Sequence, residues 1–77
     1  MLIRVKSVTG RELEFDVTET QKVGELKKLI EGKLGISPEQ QRLLFNGRPM
    51  NDDKTFSEQH CAAGSIVHLV LALRGGL

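Results

Sequence analysis

A chain of 77 residues with 39% apolar and 27% charged side chains has the size and composition of one small globular domain rather than of a disordered segment. Eleven basic and ten acidic side chains leave a net charge of +1, which argues against a general nucleic-acid binder because such proteins need a basic excess to neutralise phosphates. No apolar run approaches the roughly 20 residues of a membrane span and no charged-then-apolar leader opens the chain, so we expect an intracellular protein without a membrane association.

Candidate catalytic groups are sparse in this sequence. Cys61 cannot form an internal disulfide, and we expect it to be a small buried hydrophobe. A catalytic thiol would need a base and a cationic environment, and the neighbouring His60 would point in another direction. Paired carboxylates, a metal-ligand cluster, a nucleotide loop and a Ser/His/Asp set are all missing, so neither an enzyme nor a metal site is predicted.

Apolar and charged side chains alternate over two runs at the start of the chain, Ile3 to Lys6 and Glu12 to Val17. This period of two is typical of half-buried strands. Gly10 in the connection can adopt a positive φ angle, so the two runs predict a β-hairpin. The basic side chains of the first strand would face acidic ones of the second.

A helical period follows, with Val23, Leu26, Ile30 and Leu34 on one stripe. The start of this helix is poorly marked in the sequence because Lys22 is a weak N-cap. Its end is well marked, because Gly35 can adopt the left-handed conformation that terminates helices. The basic residues of this helix are predicted to lie mostly on its solvated side, and they are Lys22, Lys27, Lys28 and Lys33.

The second half of the chain predicts three more strands. Gln41–Phe45 is followed by Asn46-Gly47, the strongest hairpin signal in the sequence, and Pro49 limits the returning strand to a short edge element. Thr55–Glu58 is expected to form a single helical turn. The apolar run 65–71 predicts a central strand, which can pair in parallel with the first strand because the long intervening segment supplies the crossover.

These elements predict an α+β domain in which a mixed sheet packs on one main helix, and strand parity identifies an unusual outer face. Leu44, His68 and Val70 would form an apolar island there beside Arg42, with Arg48 and Arg74 at a basic rim. No segment is left over to cover the island. An exposed apolar patch with a charged rim is typical of a protein interaction site and favours acidic partners.

The C-terminal segment Leu71-Ala72-Leu73-Arg74-Gly75-Gly76-Leu77 continues directly from the last strand. Two consecutive glycines lack a Cβ, which keeps the chain thin enough to enter a narrow enzyme channel and expose its carbonyl to attack. Ordinary terminal disorder is the alternative explanation for a lone Gly-Gly. We interpret residues 1–72 as the folded domain and 73–77 as a flexible conjugation tail with one extra residue.

The sequence strongly resembles the ubiquitin family from Met1 through Gly76, and more closely its Rub or neddylation type. The resemblance rests on residues 1–6, 35–43, 50–55 and 68–76. It implies the ubiquitin-like β-grasp fold. Ubiquitin resembles this tail but has arginine at the position of Ala72, and the family implies that activating enzymes read that residue, excluding the wrong modifier by clash or unpaired charge.

The resemblance further implies a substrate rather than a catalyst, without a cofactor of its own. An activating enzyme would use ATP to adenylate the Gly76 carboxylate, and the acyl group would pass through thioesters to a target lysine. Leu71 and Leu73 would pack against the partner enzyme, Arg74 would anchor the tail through its guanidinium, and Gly75 would keep the tail thin.

Two recognition surfaces are also implied by the resemblance. The main patch would contain Val8, Arg42, Leu44, His68 and Val70, and a second patch would contain Ile36, Leu71 and Leu73. Implied partners are neddylation-type activating and conjugating enzymes, ligases, cullin-like targets, a processing hydrolase and a deconjugating isopeptidase. A monomer in the cytoplasm and nucleus is expected.

Several positions depart from the family's usual residues. Leu77 follows Gly76, so either a hydrolase removes it or it is a cloning residue. Val8 and Leu44 replace the usual leucine and isoleucine and reshape the patch. Arg48 stands where ubiquitin has a chain-forming lysine, and a guanidinium cannot be acylated as that amine is. The lysines that remain as possible acceptors are Lys6, Lys22, Lys27, Lys28, Lys33 and Lys54.

Two other classes of non-enzyme remain open from the sequence. A sulfur carrier also ends in Gly-Gly and has it adenylated, but it forms a thiocarboxylate and would bind a sulfur-transfer partner. A ubiquitin-like interaction module that is not conjugated would keep the patch but should not need a diglycine tail.

Overall fold

The computed structural model describes residues 1–72, which form a five-stranded mixed sheet packed on one α-helix. The strands are β1 (Leu2–Ser7), β2 (Glu12–Asp16), β3 (Gln41–Phe45), β4 (Arg48–Pro49) and β5 (Ile66–Leu71), and the helix is α1 (Val23–Leu34). The sheet order is β2-β1-β5-β3-β4. The predicted α+β, β-grasp architecture is confirmed, including the parallel pairing of β1 with the central strand β5.

Both predicted hairpins form, for the reasons that the sequence indicated. In the β1–β2 pair, Arg4 lies opposite Glu14, and the Arg4 Nε is 3.4 Å from the Glu14 Oε2. In the β3–β4 turn, Asn46 and Gly47 both adopt positive φ angles, of 53° and 77°. Two left-handed residues match the twist of the flanking strands, so this tight connection is favoured.

Helix α1 has no good N-cap side chain, and the N–H groups at its start find other acceptors. The Glu25 carboxylate accepts a hydrogen bond from the Lys22 backbone N–H at 3.3 Å. The Val23 and Gly24 N–H groups donate to carbonyls of the 52–54 loop, each at 3.1 Å. At the other end, Gly35 has a φ angle of 73° and donates its N–H to the Glu31 carbonyl at 2.8 Å, as expected for a glycine terminator.

The core lies between the sheet and α1. The helical stripe of Val23, Leu26 and Ile30 is fully buried, and Cys61 is buried as predicted. The inward-facing strand residues and the loop residues complete the core, and they are Ile3, Val5, Phe15, Val17, Leu43, Met50, Phe56, Val67 and Leu69. No helix within residues 1–72 is both long enough and apolar enough to cross a membrane.

One local prediction needs correction. Lys27 does not lie on the solvated side of α1, because it is 9% exposed and its Nζ is 2.8 Å from the Asp52 Oδ1. Thr55–Glu58 forms the predicted single helical turn, in which the Gln59 N–H donates to the Thr55 carbonyl at 3.2 Å and the Glu58 N–H donates to the Thr55 Oγ1 at 3.1 Å. The sequence did not predict the short 3-10 helix Pro38–Gln40, which begins at Pro38 because proline lacks an N–H but tolerates the first helical position.

Candidate functional site

The predicted interaction surface lies on the outer face of the sheet, where β3 and β5 are paired. Arg42 lies directly opposite Val70, and Leu44 lies directly opposite His68. Arg42 and His68 are exposed, whereas Leu44 and Val70 are half-buried. Register and parity therefore bring these four side chains together, and we call them the outer patch.

A shallow cleft extends the outer patch toward β1. It has a volume of about 470 Å³ and includes His68, Ile66 and Lys6 in its lining. Lys6 lies opposite His68 in the parallel β1–β5 pair. The rim of this surface thus carries a cation and an imidazole around apolar groups, an arrangement that is complementary to a partner with acidic side chains around an apolar centre. Arg48, also predicted at the rim, lies in β4 and lines a different cleft.

The second predicted patch is a groove between the β1–β2 loop and the C-terminal half of α1. Its volume is about 190 Å³, and Ile36, Leu71 and Val8 are among the residues that line it. Val8 is 72% exposed, so it projects from the loop at the edge of this groove. The structure thus places Val8 beside the second patch, although the resemblance had grouped it with the outer patch. Leu73, the third predicted member, lies outside the described residues.

A buried amide that the sequence analysis missed holds the second patch in place. The Gln41 side chain is 2% exposed, and its Nε2 donates to the Lys27 carbonyl at 2.9 Å and to the Ile36 carbonyl at 3.0 Å. These two bonds tie the loop that carries Ile36 to α1. The sequence could have revealed this buried side chain through the alternation of β3, because Gln41 lies two residues before Leu43 and therefore on the same inward face.

The start of the C-terminal segment is fixed by backbone hydrogen bonds. Leu71 lies opposite Gln41 at the end of the β3–β5 ladder, and the Ala72 N–H donates to the Gln40 carbonyl at 2.7 Å. Residues 73–77, including Leu73, Arg74, Gly75 and Gly76, lie outside the described part of the chain. The folded domain therefore holds Ala72 at a defined point beside the 3-10 helix.

The groups that a catalyst would need are not assembled within residues 1–72. Burial raises the pKa of the Cys61 thiol, with a smaller opposing contribution from its hydrogen bond with Ser65, and a raised pKa disfavours the nucleophilic thiolate. No group of three or more His, Cys, Asp or Glu in the described range could hold a metal ion.

Comparisons with known proteins agree with this arrangement. The model of the family described as "Ubiquitin family" matches residues 3–74. The chain is similar to "Ubiquitin-like protein NEDD8" of Dictyostelium discoideum, with 54% identity over 77 residues that cover 100% of both chains. It is also similar to "Ubiquitin-like protein 1" of Schizosaccharomyces pombe, with 51% identity over 99% of this chain and 97% of the relative.

A third relative extends the likeness to another fungus. The chain is 43% identical to "NEDD8-like protein RUB1" of Saccharomyces cerevisiae over 76 residues, which cover 99% of each chain. The family match, the full-length relatives and the confirmed β-grasp sheet agree with one another. The chain therefore belongs to the ubiquitin family, as a ubiquitin-like protein of the Rub/NEDD8 type.

Proposed function

We propose that this chain is a neddylation-type modifier that is attached through the Gly76 carboxylate to lysine side chains of target proteins. The observation that carries the proposal is the full-length likeness to NEDD8 and Rub proteins. It is supported by a central strand, Ile66–Leu71, that is followed in the sequence by Gly75 and Gly76. The chain acts as the substrate of activating, conjugating and ligating enzymes and is not itself an enzyme.

Activation is required because a carboxylate is a poor electrophile. The Gly76 carboxylate attacks the α-phosphate of ATP on the activating enzyme, forming an acyl adenylate and releasing pyrophosphate. A cysteine thiolate of that enzyme then displaces AMP, and a second cysteine, on the conjugating enzyme, takes over the acyl group. A target lysine amine finally attacks the thioester, which forms an isopeptide bond and releases the thiol. ATP belongs to the activating enzyme, and this chain needs no cofactor.

The last residue of β5 and the residues that follow it have different roles in tail recognition. Leu71 and Leu73 contribute apolar contacts to the enzyme surface, and Arg74 donates hydrogen bonds to carboxylates or carbonyls. Ala72 selects the enzyme, because an activating site shaped for alanine clashes with a longer side chain. The hydrogen bond from the Ala72 N–H to the Gln40 carbonyl supports this role, since it positions Ala72 relative to the folded surface.

The outer patch and the second patch are the surfaces that ligases and receptors contact in this proposal. Cullin-like proteins are the targets, a hydrolase removes Leu77 to expose Gly76, and an isopeptidase reverses conjugation. The modifier functions as a monomer in the cytoplasm and nucleus and does not bind nucleic acid. The small net charge of +1 supports the last point.

A thioester assay tests the choice of enzyme. A chain ending at Gly76 is incubated with ATP and either a neddylation-type or a ubiquitin activating enzyme, and the reducible enzyme adduct is measured. Efficient loading is expected only with the neddylation-type enzyme, and Ala72→Arg should raise loading by the ubiquitin enzyme. Equal loading of the unchanged chain by both enzymes would refute the role of Ala72. A thiocarboxylate in place of the thioester would identify a sulfur carrier.

A further inference from the structure

A further cleft lies at the β4 edge of the sheet and shares Phe45 and Asn46 with the cleft that extends the outer patch. Its volume is about 410 Å³. Phe45, which is half-buried, and Met50, which is 8% exposed, are its apolar residues apart from Pro49. Phe45 follows Leu44 in β3, so the two side chains project to opposite faces of the sheet. The four residues of the outer patch do not line this cleft.

The polar side chains of the cleft include the donors of Arg48 and His60 and carry no negative charge. Arg48 and His60 are exposed and line it, and none of the seven lining residues, all within the described range, is an aspartate or glutamate. The Arg48 guanidinium makes no hydrogen bond or ion pair with any residue of the described range. An unpaired guanidinium beside an imidazole above an apolar surface is complementary to a carboxylate attached to an apolar body.

The Gln59 side chain, which lines the cleft, is held by hydrogen bonds within the domain. The Gln59 Oε1 accepts a hydrogen bond from the Asn51 N–H at 2.7 Å, and its Nε2 donates to the Asn51 carbonyl at 3.0 Å. The same Nε2 also lies within reach of the Lys54 carbonyl, at 3.3 Å. A side chain held in this way loses little conformational entropy on binding, which favours affinity for a small ligand.

We propose that this cleft binds an acidic peptide segment of a partner protein, with an apolar side chain against Phe45 and Met50 and a neighbouring carboxylate on Arg48. His60, which also lines the cleft, supplies a second donor. A partner seated here could also reach the outer patch across β3, so the two surfaces would act together on one acidic partner. Linked weak sites of this kind increase overall affinity without new contacts at either one.

A nuclear magnetic resonance titration with defined peptides tests the proposal on the full chain. The probe is a capped tripeptide of aspartate, phenylalanine and aspartate. One control peptide has lysine in place of both aspartates, and another has glycine in place of phenylalanine. The backbone amide shifts of Arg48, Met50 and His60 should move saturably with the probe and should move far less with either control.

A matched pair of arginine variants separates a specific contact from general charge. Arg48→Gln should weaken binding of the probe about threefold, the effect of one exposed ion pair. Arg11→Gln removes an equal charge from the exposed β1–β2 loop, away from this cleft, and should leave the affinity unchanged. Shifts confined to the outer patch, equal binding of the lysine peptide, equal effects of the two variants, or no saturable shift would each overturn the proposal.

Discussion

Leu43 and Leu44 are adjacent leucines in β3 that the fold assigns to opposite faces of the sheet, and replacing each by alanine gives a matched test of that assignment. Leu43 is 1% exposed and packs in the core, whereas Leu44 is half-buried in the outer patch. Leu43→Ala should lower the free energy of unfolding by about 2–5 kcal/mol, the range for leucine truncation in a packed core. A domain of this length has a total stability of roughly 4–12 kcal/mol, so this loss is a large part of the whole.

Leu44→Ala removes the same atoms from a position that already contacts solvent. The expected loss of stability is therefore about 1 kcal/mol or less, since part of the side chain gains no burial on folding. Binding to a ligase or receptor that reads the outer patch should weaken about 5- to 30-fold, equivalent to about 1–2 kcal/mol of lost contact.

Urea denaturation of both variants measures the stability terms, and a binding titration with the folded Leu44→Ala protein measures the recognition term. With a slope of about 1–3 kcal/mol per molar urea, the Leu43→Ala midpoint should fall by at least about 0.7 M and at least about twice as far as the Leu44→Ala midpoint. Equal losses of stability would show that the outer patch belongs to a core, and unchanged binding by Leu44→Ala would remove its role in recognition.

Three further predictions concern single positions. Gly32→Ala should raise the free energy of unfolding by about 0.5–1 kcal/mol in urea denaturation, because a Cβ there meets no atom within 4 Å; Gly24→Ala should gain less, since its Cβ would lie 3.3 Å from a carbonyl oxygen. Hydrogen bonds from Thr55, chiefly from its backbone N–H, lower the pKa of Glu58, so the stability they give is present above its ordinary pKa of 4.5 and is lost as the pH falls below it. Glu58→Gln should therefore flatten the acid side of the stability curve, and an unchanged curve would contradict the assignment. Lys27, buried and ion-paired, should be the poorest of the six lysines as an acceptor in self-conjugation, and abundant branched peptides at Lys27 in mass spectra would refute this.

The sequence predicted the elements whose signals are local. Asn46-Gly47 defined the end of β3, Gly35 defined the end of α1, and alternation defined the β1–β2 hairpin. Strand parity placed Leu44 and His68 on the same outer face of the sheet. These features depend on the conformational preferences of a few neighbouring residues, so they can be read without knowledge of the rest of the fold.

The features that the sequence did not reveal depend on tertiary partners. The first N–H groups of α1 are satisfied by carbonyls of the 52–54 loop, which is about thirty residues away along the chain. Lys27 lies within the apolar stripe and is buried because Asp52 neutralises it. The position of Val8 beside Ile36 depends on a loop conformation that no periodicity specifies. The roles of residues 73–77 rest on the family resemblance and remain predictions.

The most direct test of the central claim is whether Gly76 becomes covalently joined to lysines of other proteins. A tagged chain ending at Gly76 and a matched chain ending at Gly75 are added to a cell extract with and without ATP, and adducts that survive reducing agent are digested with trypsin. Because trypsin cleaves after Arg74, a conjugated lysine should retain a Gly-Gly remnant, only with ATP and only from the chain that contains Gly76. If no ATP-dependent adduct forms, or if the chain lacking Gly76 forms the same adducts, the chain does not act as a conjugated modifier.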